Sequence, residues 1–559
     1  MSARANKILL LVSSLATFSL LGWAAVDENA LQEWRRLQRD YKKRLPADLA
    51  ADFKVQLRQV VVPSLHVTDR CVTCHVGMAA GEPGIDGHAV FRKHPNVVHD
   101  PAEYGCTVCH GGQGRATERD AAHGTVMHWP EPMLPRAYAY AGCGICHTHL
   151  AVPEVAALEQ GRAVFERLDC LACHRLDGRG GTSRPLGAGG MEGPDLSRVG
   201  ATGLSPDWYA RHLAQRDSSR VPAWQTSFAP IADGDRAIVD TYLATRVGAP
   251  GYLEAKAAFH SRGCRGCHKV HGTGGDDGPD LSRVGQIDPG QRSFTHVPGE
   301  RSVANWLKEH FRAPTAVVPG SLMPELGLDE ATIDALTFYL MSLRTSSMPD
   351  AYWPDDRVRA LRFGEREFAT DGATLYGTFC AACHGVRGEG MRYPGAPAFP
   401  AIGNPDFLSR VSDDFLRATV THGRRGRRMP AWGESEGGLR PAEIDSVVAH
   451  VRRLGGVAMQ PDPLPARWVQ GDAALGRALY AASCASCHGA DGQGGEGPML
   501  HNAVLLENAT DTYLVDTIRH GRRGTTMESF LKASTTRRAL AEDEILGIVA
   551  YIRTWEAHP

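Results

Sequence analysis

The sharpest change of hydropathy along the chain falls near its start. Residues 8–26 carry no charge and are mostly apolar; Arg4 and Lys7 precede them, and Asp27 and Glu28 close the run. A helix of about 20 apolar residues crosses the hydrocarbon core of a bilayer, so residues 1–26 are expected to form a membrane anchor helix. The basic flank favours the cytoplasmic face, which puts the bulk of the chain in the periplasm, outside the inner membrane. The alternative is a cleaved signal peptide. Cutting after Ala24 would set Gly22 and Ala24 at the small-residue positions, but Trp23 between them is a poor context. The polar stretch that follows repeats apolar residues at Leu31, Trp34, Leu37 and Tyr41, the spacing of one helix face. A helix running straight out of the anchor fits retention, and residues 27–62 are expected to form a helical stalk.

From about residue 153 the pattern becomes a repeat. Four segments, 153–249, 250–348, 349–462 and 463–559, each open with a helix, as in residues 161–170 and 476–484, and pass through a Gly-rich loop. Each closes with an amphipathic helix: 237–245, 330–343, 441–454 and 542–555. Ile333, Leu336, Leu340 and Leu343 show the three-to-four spacing. After the loop comes Gly-Pro-x-Leu, at Gly193 to Leu196, Gly278 to Leu281 and Gly497 to Leu500; the first two extend to the same octapeptide, Gly-Pro-Asp-Leu-Ser-Arg-Val-Gly. Pro-rich joints fall at 348–356 and 460–466. The fold class expected is all-α with long loops.

The chemistry lies in a spacing that occurs seven times. Cys71, Cys74 and His75 form the first Cys-x-x-Cys-His. The others are Cys106, Cys109 and His110; Cys143, Cys146 and His147; Cys170, Cys173 and His174; Cys264, Cys267 and His268; Cys380, Cys383 and His384; and Cys484, Cys487 and His488. This is the attachment signature of c-type haem: two thiols reach the two vinyl groups of one porphyrin, and the next residue presents its imidazole to the iron. The chain has 14 cysteines, so these motifs use them all. None remains for a disulfide or a nucleophile, and zinc knuckles or redox dithiols would not need a histidine after every pair. Seven covalent haem c groups are expected, with these seven histidines as proximal ligands and no catalytic residue assigned.

Residues 63–152 hold three motifs, too dense for one domain per haem. Extra histidines crowd this stretch: His66, His88, His94, His99, His123, His128 and His149, against only Met78, Met127 and Met133 as thioethers. The reading is a compact tri-haem domain with bis-histidine iron, and it resembles the small cytochrome c3/c7 type. On that resemblance three of His94, His99, His123 and His128 are distal ligands. The fragment from Tyr104 to Thr117, with His128 to Pro135, resembles multihaem subunits that accompany cytochrome b of quinol-oxidising complexes.

The four repeats resemble class I cytochrome c. The resemblance implies opening and closing helices that cross beside the haem, a proline carbonyl bonded to the proximal histidine, and a methionine as sixth ligand. Met323, Met429 and Met527 occupy that place, while Met391 and Met499 lie on the wrong side of their repeats. The first repeat departs from the pattern. Phe228 or a neighbour stands where methionine should be, Met191 in the Gly-rich loop is a candidate, and His212, aligned with His310, reads as structural. The Cys170–Cys173 haem is therefore unresolved.

Composition changes this picture little. The formal net charge is −2, which argues against nucleic acid. Domains of about 90 residues are marginal on a protein core alone, so haem is expected to complete their folding. Two basic loops repeat, His422 to Arg428 before Met429 and His520 to Gly524 before Met527. They either pair haem propionates and cap loops, or form a rim that steers an acidic partner.

Methionine ligation raises haem potential relative to a second imidazole. Electrons are thus expected to enter at the N-terminal trio beside the membrane and leave through the distal repeats. The donor implied is a cytochrome b/Rieske-type quinol-oxidising complex, and the acceptor a soluble cytochrome c or a terminal oxidase or reductase. The alternatives are a redox enzyme working at an open Cys170–Cys173 haem, although no Cys-x-x-Cys-Lys variant is present, or a storage protein without a fixed partner.

Overall fold

The computed structural model describes residues 3–95, 97, 99–181, 193–202, 207–208, 211, 231–346, 348–394, 398–424, 426, 428–535 and 537–557. It is mostly helical. Among the described residues the strands form two short antiparallel pairs, β1 (Val60–Val62) with β2 (Val67–Asp69) and β3 (Arg175–Leu176) with β4 (Arg179–Gly180). The chain divides into two compact units. The first comprises residues 1–145, 286–293 and 346–352; the second comprises 146–285, 294–345 and 353–559. The division falls between Ile145 and Cys146, inside the third Cys-x-x-Cys-His motif.

The first unit begins with α1 (Ala3–Val26), which buries no residue and is long and apolar enough to cross a membrane. A π-helical turn, Asp27–Leu31, separates it from α2 (Glu33–Arg44). α2 lies in the stretch expected to be a stalk, yet it buries Trp34, Gln38 and Tyr41. Tyr41 packs against Phe53 and Phe91 at ring distances of 5.2 and 5.3 Å, and its hydroxyl donates to the Pro83 carbonyl at 2.6 Å. Gln38 is fully buried and fully paired: its amide donates to the carbonyls of Gln56 and Thr73, each at 2.8 Å, and its oxygen accepts from Gln56 N at 2.9 Å. Thr73 belongs to the first Cys-x-x-Cys-His, so this polar-looking helix is fastened to the site.

The second unit is built from helix pairs. The opening helices are α3 (Val155–Arg167), α5 (Tyr252–Ser261), α7 (Gly372–Phe379) and α9 (Ala473–Ser483). The closing helices are α4 (Asp233–Ala244), α6 (Glu330–Ser342), α8 (Pro441–Gly455) and α10 (Glu542–Arg553). Each closing helix lies where the three-to-four periodicity predicts it. Aspartate side chains accept from the first-turn amides of α6, α7 and α9, through Asp329, Asp371 and Asp472, a cap worth about 1 kcal/mol each. Opening and closing helices cross closely. At Gly161, Gly372 and Gly476 a Cβ would strike Tyr242, Ser446 and Gly547 of the partner helix.

The last two repeats share one continuous core. It runs from Phe368 and Leu375 through Leu408, Val447 and Val448 to Leu506, Val515, Ile548 and Trp555. Between the second and third repeats the filling is charged instead. Lys256, fully buried, reaches Glu367 at 2.9 Å and the Thr148 carbonyl at 2.6 Å, and His271 lies 3.3 Å from the same carboxylate. Burial alone would raise the Glu367 carboxyl. Lys256 first, then His271 and Arg265, outweigh burial and hold it well below its ordinary value of 4.5.

Candidate haem-binding sites

In the four repeats the motif lies at the end of the opening helix, and the proximal imidazole is fixed from behind by a proline carbonyl. Nδ1 of His174, His268 and His384 lies 2.9 Å from the carbonyls of Pro194, Pro279 and Pro400, and Nδ1 of His488 lies 2.8 Å from that of Pro498. A ring nitrogen that donates backward leaves Nε2, with its lone pair, facing away. The glycine before the proline has a steric reason. At Gly193, Gly278 and Gly497 a Cβ would run into the proximal imidazole of the same repeat. The third repeat was not recognisable from Gly-Pro-x-Leu, because Phe399 precedes Pro400; its signal is the proline followed two residues later by Ile402.

His384 and His488 both open onto one cavity of about 1290 Å³. Its walls include Cys380, Met429, Cys484, Cys487 and Met527. Single small-ligand sites occupy roughly 300–1,000 Å³, so the space suits two large flat groups better than one. Met429 and Met527 thus reach the wall expected of them. Met499 reaches it too, beside Gly426, whereas Met391 does not line it. Burial lowers the pKa of His268, His384 and His488, which favours the neutral imidazole, the form that ligates metal. Burial also pushes the thiols of Cys264, Cys380 and Cys484 up to about 12. Met323 is half-buried in its loop, where its backbone amide donates to the Ser321 hydroxyl at 3.2 Å.

The two basic loops are built alike. Arg424 N donates to the Met429 carbonyl at 2.9 Å and Arg522 N to that of Met527 at 2.7 Å. Their arginines are largely engaged. Arg428 pairs with Asp277 of the second repeat at 2.7 Å, and Arg523 of the fourth repeat pairs with Asp406 of the third at 2.6 Å. Arg424 and Arg522 turn into the cavity wall over Phe415 and Phe407. Burial lowers Arg424 to about 10, and among the described residues neither of these two pairs with a carboxylate. This is the arrangement of an anion anchor more than of a docking rim.

In the first unit two histidine pairs face each other. The rings of His75 and His123 lie 6.4 Å apart with planes at 28°, and those of His94 and His110 lie 6.0 Å apart at 66°. Burial is the first cause lowering the pKa of His75, His110 and His123. The second motif is held by Asp69, whose carboxylate accepts from Cys106 N at 2.5 Å and from Thr107 N and Oγ1 at 2.8 Å. Of the remaining candidates, His99 is exposed and packs on Tyr104 at 4.8 Å, and His128 is exposed in a left-handed backbone conformation. His66 is also exposed, and His88 stacks on Phe91 at 4.2 Å. His149, whose backbone amide donates to Asp356 at 2.6 Å, lies in the second unit. His310 stacks on Trp306 at 4.8 Å, in keeping with a structural role. Met191, His212 and Phe228, on which the Cys170 site turns, lie outside the described residues.

Paired thiols, a back-bonded imidazole and a thioether on the same cavity wall are the parts of a c-type haem site, and comparison with known proteins decides the class. Residues 252–344 match the family model for cytochrome c. Residues 367–451 and 471–552 match that for cytochrome c oxidase, cbb3-type, subunit III. These segments are cytochrome c domains. The single model spanning the last two domains agrees with their common core and cavity. Among curated proteins, the chain is similar to the cbb3-type cytochrome c oxidase subunit FixP of Bradyrhizobium sp. (strain ORS 278), 35% identical over 164 residues, covering 27% of this chain and 51% of that protein. It is also similar to subunit CcoP of Rhodobacter capsulatus, 31% identical over 195 residues, covering 33% of this chain and 61% of that protein. The chain thus spans about half the length of the curated relatives it matches. A solved Kuenenia stuttgartiensis reducing HAO-like protein complex aligns over 33% of this chain and 94% of its own at 18% identity, with a TM-score of 0.22, too loose to bear on the arrangement. The chain thus carries cytochrome c domains, which bind haem c covalently, together with an apolar N-terminal helix.

Proposed function

We propose that the chain carries seven haem c groups and conducts electrons along the periplasmic face of the inner membrane, anchored by α1. The observation that carries this reading is the set of four proline carbonyls behind four proximal imidazoles. It supports one common iron-binding geometry in all four repeats, including the first, whose sixth ligand stays open. Covalent haem supplies one-electron chemistry; the protein fixes its ligands and surroundings. Two imidazoles bound to one iron through bonds of about 2 Å have ring centres about 6 Å apart. The spacings of His75 with His123 and of His94 with His110 support bis-histidine ligation of the first two haems. The third distal histidine is then drawn from His99 and His128. Met323, Met429 and Met527 serve the last three haems, and Arg424 and Arg522 hold propionates in the shared cavity.

Bis-histidine haems in the unit that carries α1 and histidine–methionine haems in the last three repeats give a downhill path along the chain. The donor is a quinol-oxidising cytochrome b/Rieske-type complex. The similarity of the last two domains to cbb3-type oxidase subunits favours a terminal oxidase as acceptor over a soluble carrier. The test supplies quinol to membranes containing the chain. Reduction of its haems, with a pyridine haemochrome count of seven per chain, is the expected result. Haems that stay oxidised while the quinol pool is reduced overturn the donor, and a lower count overturns the haem assignment.

A further inference from the structure

The order of haems in space is written in contacts between motifs. Cys267, the second cysteine of the second repeat, and Cys383, the second cysteine of the third, lie on neighbouring turns and interact through their side chains. The surrounding backbone brings them together. A Cβ on Gly263 would lie 2.8 Å from Cβ of Ala382, and one on Gly266 would lie 3.0 Å from the Phe379 carbonyl and 3.8 Å from Ala382. Arg428 of the third repeat spans the seam, pairing with Asp277 of the second at 2.7 Å. Tyr393 closes it from the third repeat, donating to the Ala382 carbonyl at 2.6 Å. The two attachment turns are thus packed back to back, with small residues where their backbones meet.

We propose that Cys267 and Cys383 join the haems of the second and third repeats sulfur to sulfur, and that these two haems with that of the fourth repeat form one continuous three-haem wire. Once each cysteine is a thioether, the two sulfur links would meet at this seam. The third and fourth haems meet differently, across the cavity that His384 and His488 share. Transfer across the sulfur contact moves one electron: the iron held by His268 goes from ferrous to ferric and that held by His384 from ferric to ferrous, with no bond broken and no proton moved. The inference rests on the proposed haem attachment and adds which haems touch. It also gives the small residues a reason, since any bulkier side chain at Gly263, Gly266 or Ala382 would force the attachment turns apart.

Soret circular dichroism of the full holoprotein tests this, because haems in contact couple their transitions into a couplet of opposite signs, whereas an isolated haem contributes one band. The spectrum of a C264A/C267A variant is subtracted from that of the unaltered chain. A difference with two lobes of opposite sign is expected; a single-signed difference, with one haem lost per chain, overturns the pairing alone. Retention of all haem in the variant overturns attachment at Cys264 and Cys267, and the pairing with it. Gly266→Leu provides a second reading that keeps every cysteine and histidine. The same couplet is expected to shrink at unchanged haem content, and an undiminished couplet contradicts contact at this seam.

Discussion

The glycine of Gly-Pro-x-Leu shows how closely a single residue is tied to the iron site. At Gly278 the missing Cβ is the space that the His268 ring occupies, and the next residue supplies the carbonyl that orients the ring. Gly278→Val is expected to displace the imidazole. Overpacking costs about 1–3 kcal/mol and a lost hydrogen bond about 1 kcal/mol, read as a lower thermal midpoint and an altered low-spin spectrum of one haem. Met429→His, by contrast, keeps a sixth ligand while changing its kind. The midpoint potential of one haem is expected to fall by on the order of 0.1 V within the roughly 0.8 V range that axial ligands command, measured by potentiometric titration; an unchanged potential would mean that Met429 is not the ligand. The proximal histidines and Gly-Pro pairs were legible because they are contiguous in sequence. Pro400 was not, since Phe399 replaces the glycine and packs instead toward Tyr393. The approach of the His123 ring to that of His75 was not legible either, because the two are distant in sequence and a fold of the chain brings them together.

At the scale of elements, periodicity located the four closing helices well, because each buries one apolar stripe against its opening helix. It said less about α2, whose composition is strongly polar. That helix is held by Trp34, Tyr41 and one satisfied glutamine, and hydrophobic spacing cannot tell a glutamine with three partners from one in water. Gln38→Leu leaves the Thr73 and Gln56 groups unpaired in the interior. A loss of about 3 kcal/mol is expected at about 1 kcal/mol per bond, measured as denaturant stability of the holoprotein, with the first motif's haem most affected. The charged filling around Glu367 was also invisible, since Lys256 and Glu367 are distant in sequence. Glu367→Gln strands a buried ammonium and is expected to cost about 3–5 kcal/mol. The pH dependence has a definite sign. The Glu367 carboxyl is depressed in the folded chain, so its contribution is present above the unfolded value of 4.5 and is lost as pH falls through the folded value. Acid titration of thermal stability is expected to show a decline below about pH 4.5 that is smaller in the Gln variant; equal declines would place the acid-sensitive group elsewhere.

For the whole molecule the question is direction. Histidine pairs lie in the unit that carries α1, and methionines face the cavity of the last two domains. The loops that looked like a docking rim are largely spent on Asp277, Asp406 and the cavity wall, so in the last two domains the methionines on the cavity wall stand out more than a basic patch does. Potentiometric titration of the membrane-bound protein, followed by low-temperature EPR at each step, tests the gradient most directly. The account predicts bis-histidine low-spin signals that persist as ferric to low potential and histidine–methionine signals that vanish first on reduction. Seven haems titrating together as one low-spin class would contradict the ligand assignment and, with it, the downhill path.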